Sequence, residues 1–146
     1  MKKLVSKKDI VNNDKLKKLF ERYKDIRIVY LFGSFAHGME GILSDIDLAV
    51  LFDESVDHKK RFQLQLELIG KLVDILEVEK IDLTIINEAT LTLKYEIIKA
   101  NTPVFVRDLE DKIDFEHYIL SRYLDRRYYE KRASKEFLER IAKTEI

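Results

Sequence analysis

Two aspartates, Asp45 and Asp47, stand at the head of the apolar run Ile46-Asp47-Leu48-Ala49-Val50-Leu51-Phe52. On a strand, residues i and i+2 point to the same face, so the two carboxylates share one side. Crowded like charges raise each other's proton affinity unless something neutralises them. A hard divalent cation such as Mg²⁺ does so, with carboxylate oxygens on one side and substrate phosphates on the other. Upstream, Gly33-Ser34 closes a second apolar run, Ile28-Val29-Tyr30-Leu31-Phe32. Backbone N–H groups at a turn that leads into a helix can donate to phosphate oxygens. Gly33 has no side chain to hold a phosphate away. Each half alone is ordinary: Asp-x-Asp is usually solvated, and Gly-Ser is a common turn. Together, with a strand on each side, they describe a site for a metal triphosphate. Asp45 and Asp47 are its metal ligands, and Gly33 and Ser34 its nucleotide contacts.

A third acid lies in Lys80-Ile81-Asp82-Leu83-Thr84-Ile85-Ile86. If this strand pairs alongside the one starting at Asp45, the Asp82 carboxylate can join the other two. It would then ligate a metal and orient or deprotonate an attacking hydroxyl. The plain alternative is a strand-start Asp facing water.

The spacing Gly33-Ser34, ten residues, Asp45-x-Asp47 resembles the signature of the polymerase β-like nucleotidyltransferases. The fuller form, Gly33-Ser34-x-Ala36-x-Gly38 followed by Ser44-Asp45-x-Asp47-Leu48, is similar to the minimal nucleotidyltransferase branch. Many of that branch are antitoxins paired with HEPN-domain toxins. The resemblance covers roughly the first two thirds of the chain. It implies a third carboxylate on a following strand, which Asp82 fits, and an antiparallel pairing of the first two strands. It also implies ATP as substrate, Mg²⁺ as cofactor and a cognate HEPN toxin as partner, with a tyrosine near the toxin's RNase motif as acceptor. One departure is His37, where the branch often has Arg, so a charged contact to phosphate there would be weaker or pH-dependent.

Elements must hold these residues in place. Asp14 to Lys24, with Leu16, Leu19, Phe20 and Tyr23 at helical spacing, reads as an amphipathic helix capped by Asn13 or Asp14. Strands are expected at about Arg27–Phe32 and Asp45–Phe52. Phe35 to Gly38 is expected to form a short helical turn. In the second strand Ile46, Leu48 and Val50 share one face, and Asp45, Asp47, Ala49 and Leu51 the other. The distal half is apolar on both faces, so helices should cover both sides there and leave the acids at the open start. Asp57 to Leu76 reads as a helix with Phe62, Leu66, Ile69, Leu72 and Val73 as its stripe. His58 and the Lys59-Lys60-Arg61 cluster near its start read as solvated or capping residues. A third strand spans Lys80–Ile86, and a helix Thr90–Ala100. Pro103 ends that helix and opens a fourth strand, Val104–Val106.

Leu109 to Ala142 reads as one long helix or two, with Ile113, Leu120, Tyr123, Leu124 and Phe137 as apolar positions. Tyr118, Tyr123, Tyr128 and Tyr129 alternate there with Arg122, Arg126, Arg127 and Arg132. Such a tail either packs on its own domain or docks a partner, since Tyr and Arg are enriched at interface hot spots. His117 reads as a surface residue. The expected fold is therefore α/β, the polymerase β-like nucleotidyltransferase fold. A mixed sheet of about four strands is flanked by helices and followed by a helical tail. A minimal nucleotidyltransferase domain occupies 1–108, and a C-terminal helical segment 109–146.

Composition narrows the function classes. The 27 basic and 27 acidic residues of the 146 balance to zero net charge, so the basic footprint of a nucleic-acid binder is missing. With no Cys, disulfides, zinc–thiolate sites and Cys nucleophiles are excluded. The basic start, Met1 to Lys8, has no apolar stretch behind it and does not read as a signal peptide. No run is long enough to span a membrane. A cytoplasmic protein, free to form a hetero-oligomer, fits these bounds.

The expected activity is AMP transfer from ATP to a tyrosine of the HEPN toxin, which neutralises it. Two alternatives stay open. One is nucleotidyl transfer to a small-molecule hydroxyl, for which no second substrate domain is evident. The other is an antitoxin that acts by binding alone, against which the intact acids count. A Ser-His-Asp hydrolase built on Ser34 and His37 lacks a matching acid at a suitable spacing.

Overall fold

The computed structural model describes residues 6–33 and 45–144. Ser34, Ala36, His37, Gly38 and Ser44, with the expected helical turn, lie outside the described residues. The elements run α1 Lys7–Val11, α2 Asp14–Arg22, β1 Ile26–Phe32, β2 Ile46–Phe52, α3 His58–Leu76 and β3 Ile81–Ile85. A 3₁₀ turn, Ile86–Glu88, then leads to α4 Leu91–Lys99, β4 Pro103–Val106 and α5 Leu109–Thr144.

The four strands form one sheet in the order β3-β2-β1-β4. β1 pairs antiparallel with both β2 and β4, and β2 pairs parallel with β3. The sheet is thus mixed, with antiparallel first and second strands as the resemblance implied. The central strands are apolar on both faces because both faces are covered. Val29, Leu31, Leu48 and Val50 pack with residues of α1, α2 and α3, including Ile10, Phe20, Leu68 and Leu72. Ile28, Tyr30 and Ala49 pack on the other side with Ile97 of α4, and Phe115 of α5 joins them. Each fully buried aliphatic side chain contributes roughly 1.5–3 kcal/mol.

Local signals set the helix starts. Asn13 accepts from the Leu16 N–H, Asp57 from Lys60 and Thr90 from Leu93. α1 is added by a capping box that hydropathy spacing does not reveal: Ser6 accepts from the Asp9 N–H, and Asp9 accepts from the Ser6 N–H. In α3 the stripe differs from expectation. Leu68, Leu72 and Leu76 are buried, whereas Phe62 and Leu66 are 54% and 56% exposed. Of the expected stripe, Leu72 is buried and Ile69 and Val73 pack partly buried on the same core, while Leu64, Leu68 and Leu76 complete the face in place of Phe62 and Leu66.

Arg107, just after β4, ties the α1–α2 side to the sheet. Its guanidinium donates to the carbonyls of Phe20, Tyr23 and Ile26 at 3.0, 2.9 and 2.7 Å. The first two carbonyls, at the end of α2, also accept the backbone N–H of Tyr23 and of Ile26, so Arg107 adds a second, charged donor to each. Arg107→Ala should cost about 2–3 kcal/mol, because it removes several hydrogen bonds from a charged donor at once. Arg107→Lys should recover only part, since an ammonium lacks the fork. Urea unfolding of the two variants checks this.

On the opposite face Tyr30 is fully buried, and its hydroxyl donates to Glu116 Oε2 at 2.7 Å. Burial, then the Glu116 carboxylate, push the phenol far above its usual range, so it stays protonated. This bond anchors the first third of α5 to β1, the strand that leads to Gly33. Tyr123 of α5 also stacks on Tyr95 of α4 at 3.8 Å.

The tail is one continuous helix of 36 residues, about 54 Å long. From Leu124 to Thr144 all of it is exposed. Leu120, Leu124 and Phe137, expected as apolar positions, are accordingly 41%, 53% and 62% exposed, and Ile119 is the buried residue instead. Ion pairs Arg126–Glu130 and Arg132–Glu136, one turn apart, support the free helix by a few tenths of a kcal/mol each.

Candidate functional site

Register, more than any single residue, assembles the acids. Across the parallel β2–β3 pair, Ile46 lies beside Ile81 and Asp47 beside Asp82. Asp45 and Lys80 immediately precede these pairs, and their side chains form an ion pair at 3.4 Å. Strand periodicity puts Asp45, Asp47, Lys80 and Asp82 on one face. The result is a two-by-two array at the open start of β2: Asp45 opposite Lys80, and Asp47 opposite Asp82. Asp82 is exposed, and Asp47 is half-buried.

β1 closes the third side. Phe32 pairs with Asp47, and Gly33 follows it with φ +72°. A Cβ built on Gly33 would lie 2.5 Å from Asp47 Oδ2. Only glycine fits this position, because the left-handed backbone and the adjacent carboxylate both exclude a side chain. The expected residues Gly33, Asp45, Asp47 and Asp82 are thus brought together. Ser34 follows directly, outside the described residues.

The electrostatics carry the mark of crowding. Desolvation, then the charges of Asp82 and Asp45, raise the Asp47 pKa, and Lys80 works against them. A raised carboxylate pKa costs stability that sets in as pH rises through the ordinary Asp range, where the unfolded chain ionises first, and is full once pH exceeds the folded pKa. Asp47→Asn should therefore stabilise the protein at neutral pH. The gain should vanish as pH falls below the ordinary Asp range, where both states are protonated. Thermal midpoints of wild type and Asp47→Asn between pH 3 and 8 check the sign.

The donor set is all hard oxygen and carries excess negative charge, which fits a divalent cation. As placed, no three acidic or His side chains among the described residues converge to hold an ion.

Several residues noted in the sequence stand apart from this array. His58 pairs with Glu88 and is 80% exposed. Lys60 pairs with Asp25 at 3.1 Å, Arg61 donates to the Val56 carbonyl, and His117 is exposed. Lys80 was not singled out by sequence reasoning. The available signal was Lys80-x-Asp82, a cation two residues before the acid and hence on its face.

Residues 14–110 match the family Polymerase beta, Nucleotidyltransferase. The chain belongs to this nucleotidyltransferase family. The match spans β1 to β4 and includes Gly33, Asp45, Asp47 and Asp82. Among related nucleotidyltransferases, the protein adenylyltransferase MntA of Shewanella oneidensis is 28% identical over 104 residues, 70% of this chain and 71% of that one. A solved toxin–antitoxin structure with AMP-PNP is similar in fold, with TM-score 0.64 and 24% identity over 87% of this chain and 98% of that one. So is a chain from the tri-AMPylated S. oneidensis HEPN toxin in complex with MNT antitoxin, with TM-score 0.59 and 22% identity over 87% and 96%. Among the described residues no helix is long and apolar enough to cross a membrane.

Proposed function

We propose that this nucleotidyltransferase moves AMP from ATP to a tyrosine hydroxyl of a cognate HEPN toxin and silences it. The observation that carries the chemistry is the array itself: Asp47 between Asp82 and the bare backbone of Gly33. The similarity to a protein adenylyltransferase, and to antitoxins solved with a HEPN toxin and with AMP-PNP, supports the acceptor and the nucleotide.

In this reading residues 1–108 are the catalytic domain and 109–146 the helical segment beside it. Asp45, Asp47 and Asp82 are the residues that would hold Mg²⁺, and the ion would supply positive charge to offset that developing on the phosphoryl oxygens. Gly33 lets a phosphate oxygen reach the backbone, and Ser34 adds a donor there. Asp82, exposed at the start of β3, takes the proton of the acceptor hydroxyl. The acceptor oxygen forms its bond to the α-phosphorus, the bond from that phosphorus to the bridging oxygen breaks, and pyrophosphate leaves. Positioning and electrostatics supply most of the rate. An AMP group on the toxin adds bulk and negative charge where RNA phosphate would sit, which repels substrate.

The test is label transfer. ATP labelled at the α-phosphate should mark the toxin, and ATP labelled at the γ-phosphate should not. Label from the γ-position would make the protein a kinase. Label on a small molecule alone would favour the small-molecule reading.

A further inference from the structure

We infer that Lys80 is a resident counter-cation: it neutralises Asp45 in the empty site, yields that carboxylate to the divalent ion, and then binds the triphosphate. This rests on the metal–nucleotide reading of the site given above.

The geometry argues for it directly. Asp45, Asp47 and Asp82 bring three negative charges to one face at the start of two parallel strands. Lys80 is the cation of that array, with Nζ 3.4 Å from Asp45 Oδ2. The array thus carries two net negative charges, which one divalent ion would balance. With the ammonium in place, an arriving cation meets Asp45 already engaged. The hold is weak, however, because the Lys80 side chain is 67% exposed and that of Asp45 44% exposed. Exposed pairs of this kind exchange readily with competing charges.

Lys80 is also well placed for its second role. It precedes β3, two residues before Asp82 and on the same face. Its four-carbon stem is flexible, and an ammonium is a strong point-charge partner for phosphate. A lysine freed from Asp45 can swing its ammonium to a phosphate bound over the same face. Among the described residues no other lysine or arginine forms an ion pair with an acid of the array. The device lessens the repulsion among the metal-free acids and favours metal that arrives with nucleotide.

The two roles have opposite signs in binding, which makes them separable from a structural effect. Mn²⁺ binding to the full chain is titrated by electron paramagnetic resonance, alone and with AMP-PNP, for wild type, Lys80→Met and Lys80→Arg. Calorimetry in the same buffer gives the AMP-PNP affinity in the presence of Mn²⁺. Lys80→Met should bind Mn²⁺ alone roughly two- to five-fold more tightly, the range for loss of one exposed competing charge. It should bind AMP-PNP with Mn²⁺ weaker by a similar factor. Lys80→Arg should stay near wild type in both. Any result without this reversal of sign overturns the inference, including unchanged binding or a loss in both titrations. If wild type binds no Mn²⁺ even with AMP-PNP, the metal-site reading falls, and this inference falls with it.

Discussion

Asp45→Asn and Asp47→Asn proteins are expected to fold normally and to lose AMP transfer by roughly 10²–10³-fold or more, as when a main electrostatic contact to a transition state is removed. The two replacements keep shape and remove charge. Neither residue belongs to the apolar core: the Asp45 side chain is 44% exposed, and Asp47 lies half-buried at the strand's open start. Removing a charge from a crowded carboxylate relieves repulsion, so the Asp47→Asn fold should be at least as stable as wild type at neutral pH. Loss of activity with retained or raised thermal midpoint is the expected pair of results. Comparable losses in both activity and stability would make these acids structural.

Gly33→Ala is expected to show the converse economy of a single methyl group. The position has φ +72°, where a non-glycine residue costs about 1–2 kcal/mol. That cost alone leaves a folded protein. The new Cβ, however, would stand 2.5 Å from Asp47 Oδ2, so the carboxylate must move. A shift of about 1 Å in a reacting constellation can lower the rate by roughly 100-fold. Activity should therefore fall far more than stability. Near-wild-type transfer by Gly33→Ala, measured beside its urea midpoint, would contradict the close packing of Gly33 on Asp47.

Much of this arrangement was legible in the sequence because strand periodicity is strict. Once Asp45-x-Asp47 and Asp82 were placed on strands, their faces followed, and only the neighbour relation of β2 and β3 remained open. The parallel register supplies it, with Asp47 beside Asp82. The double apolar character of Ala49, Val50 and Leu51 likewise announced helices on both sides, as found. Less was legible on the helices. In α3 the expected Ile69, Leu72 and Val73 do pack on the core, but only packing against the sheet selects Leu68 and Leu76 over Phe62 and Leu66. In α5 the apolar and aromatic positions fit either packing on the domain or docking to a partner, and the helix runs past the domain, so Leu124, Tyr128, Tyr129 and Phe137 remain exposed. Lys80 escaped notice because an exposed lysine at a strand start looks like a solubilising residue. Its pairing with Asp45 depends on a cross-strand contact that no local pattern encodes. Arg107 belongs to the same class: its acceptors lie more than eighty positions earlier in the chain.

The central claim, that this chain neutralises a HEPN toxin by covalent AMP transfer, is tested most directly by intact-mass spectrometry of the toxin. The cognate toxin is incubated with this protein, ATP and Mg²⁺, beside the Asp45→Asn and Asp47→Asn proteins. The account predicts one or more AMP increments on the toxin with wild type, loss of RNase activity in step with them, and neither change with the variants. A toxin that is fully inhibited yet unchanged in mass would contradict it and leave an antitoxin that works by binding alone.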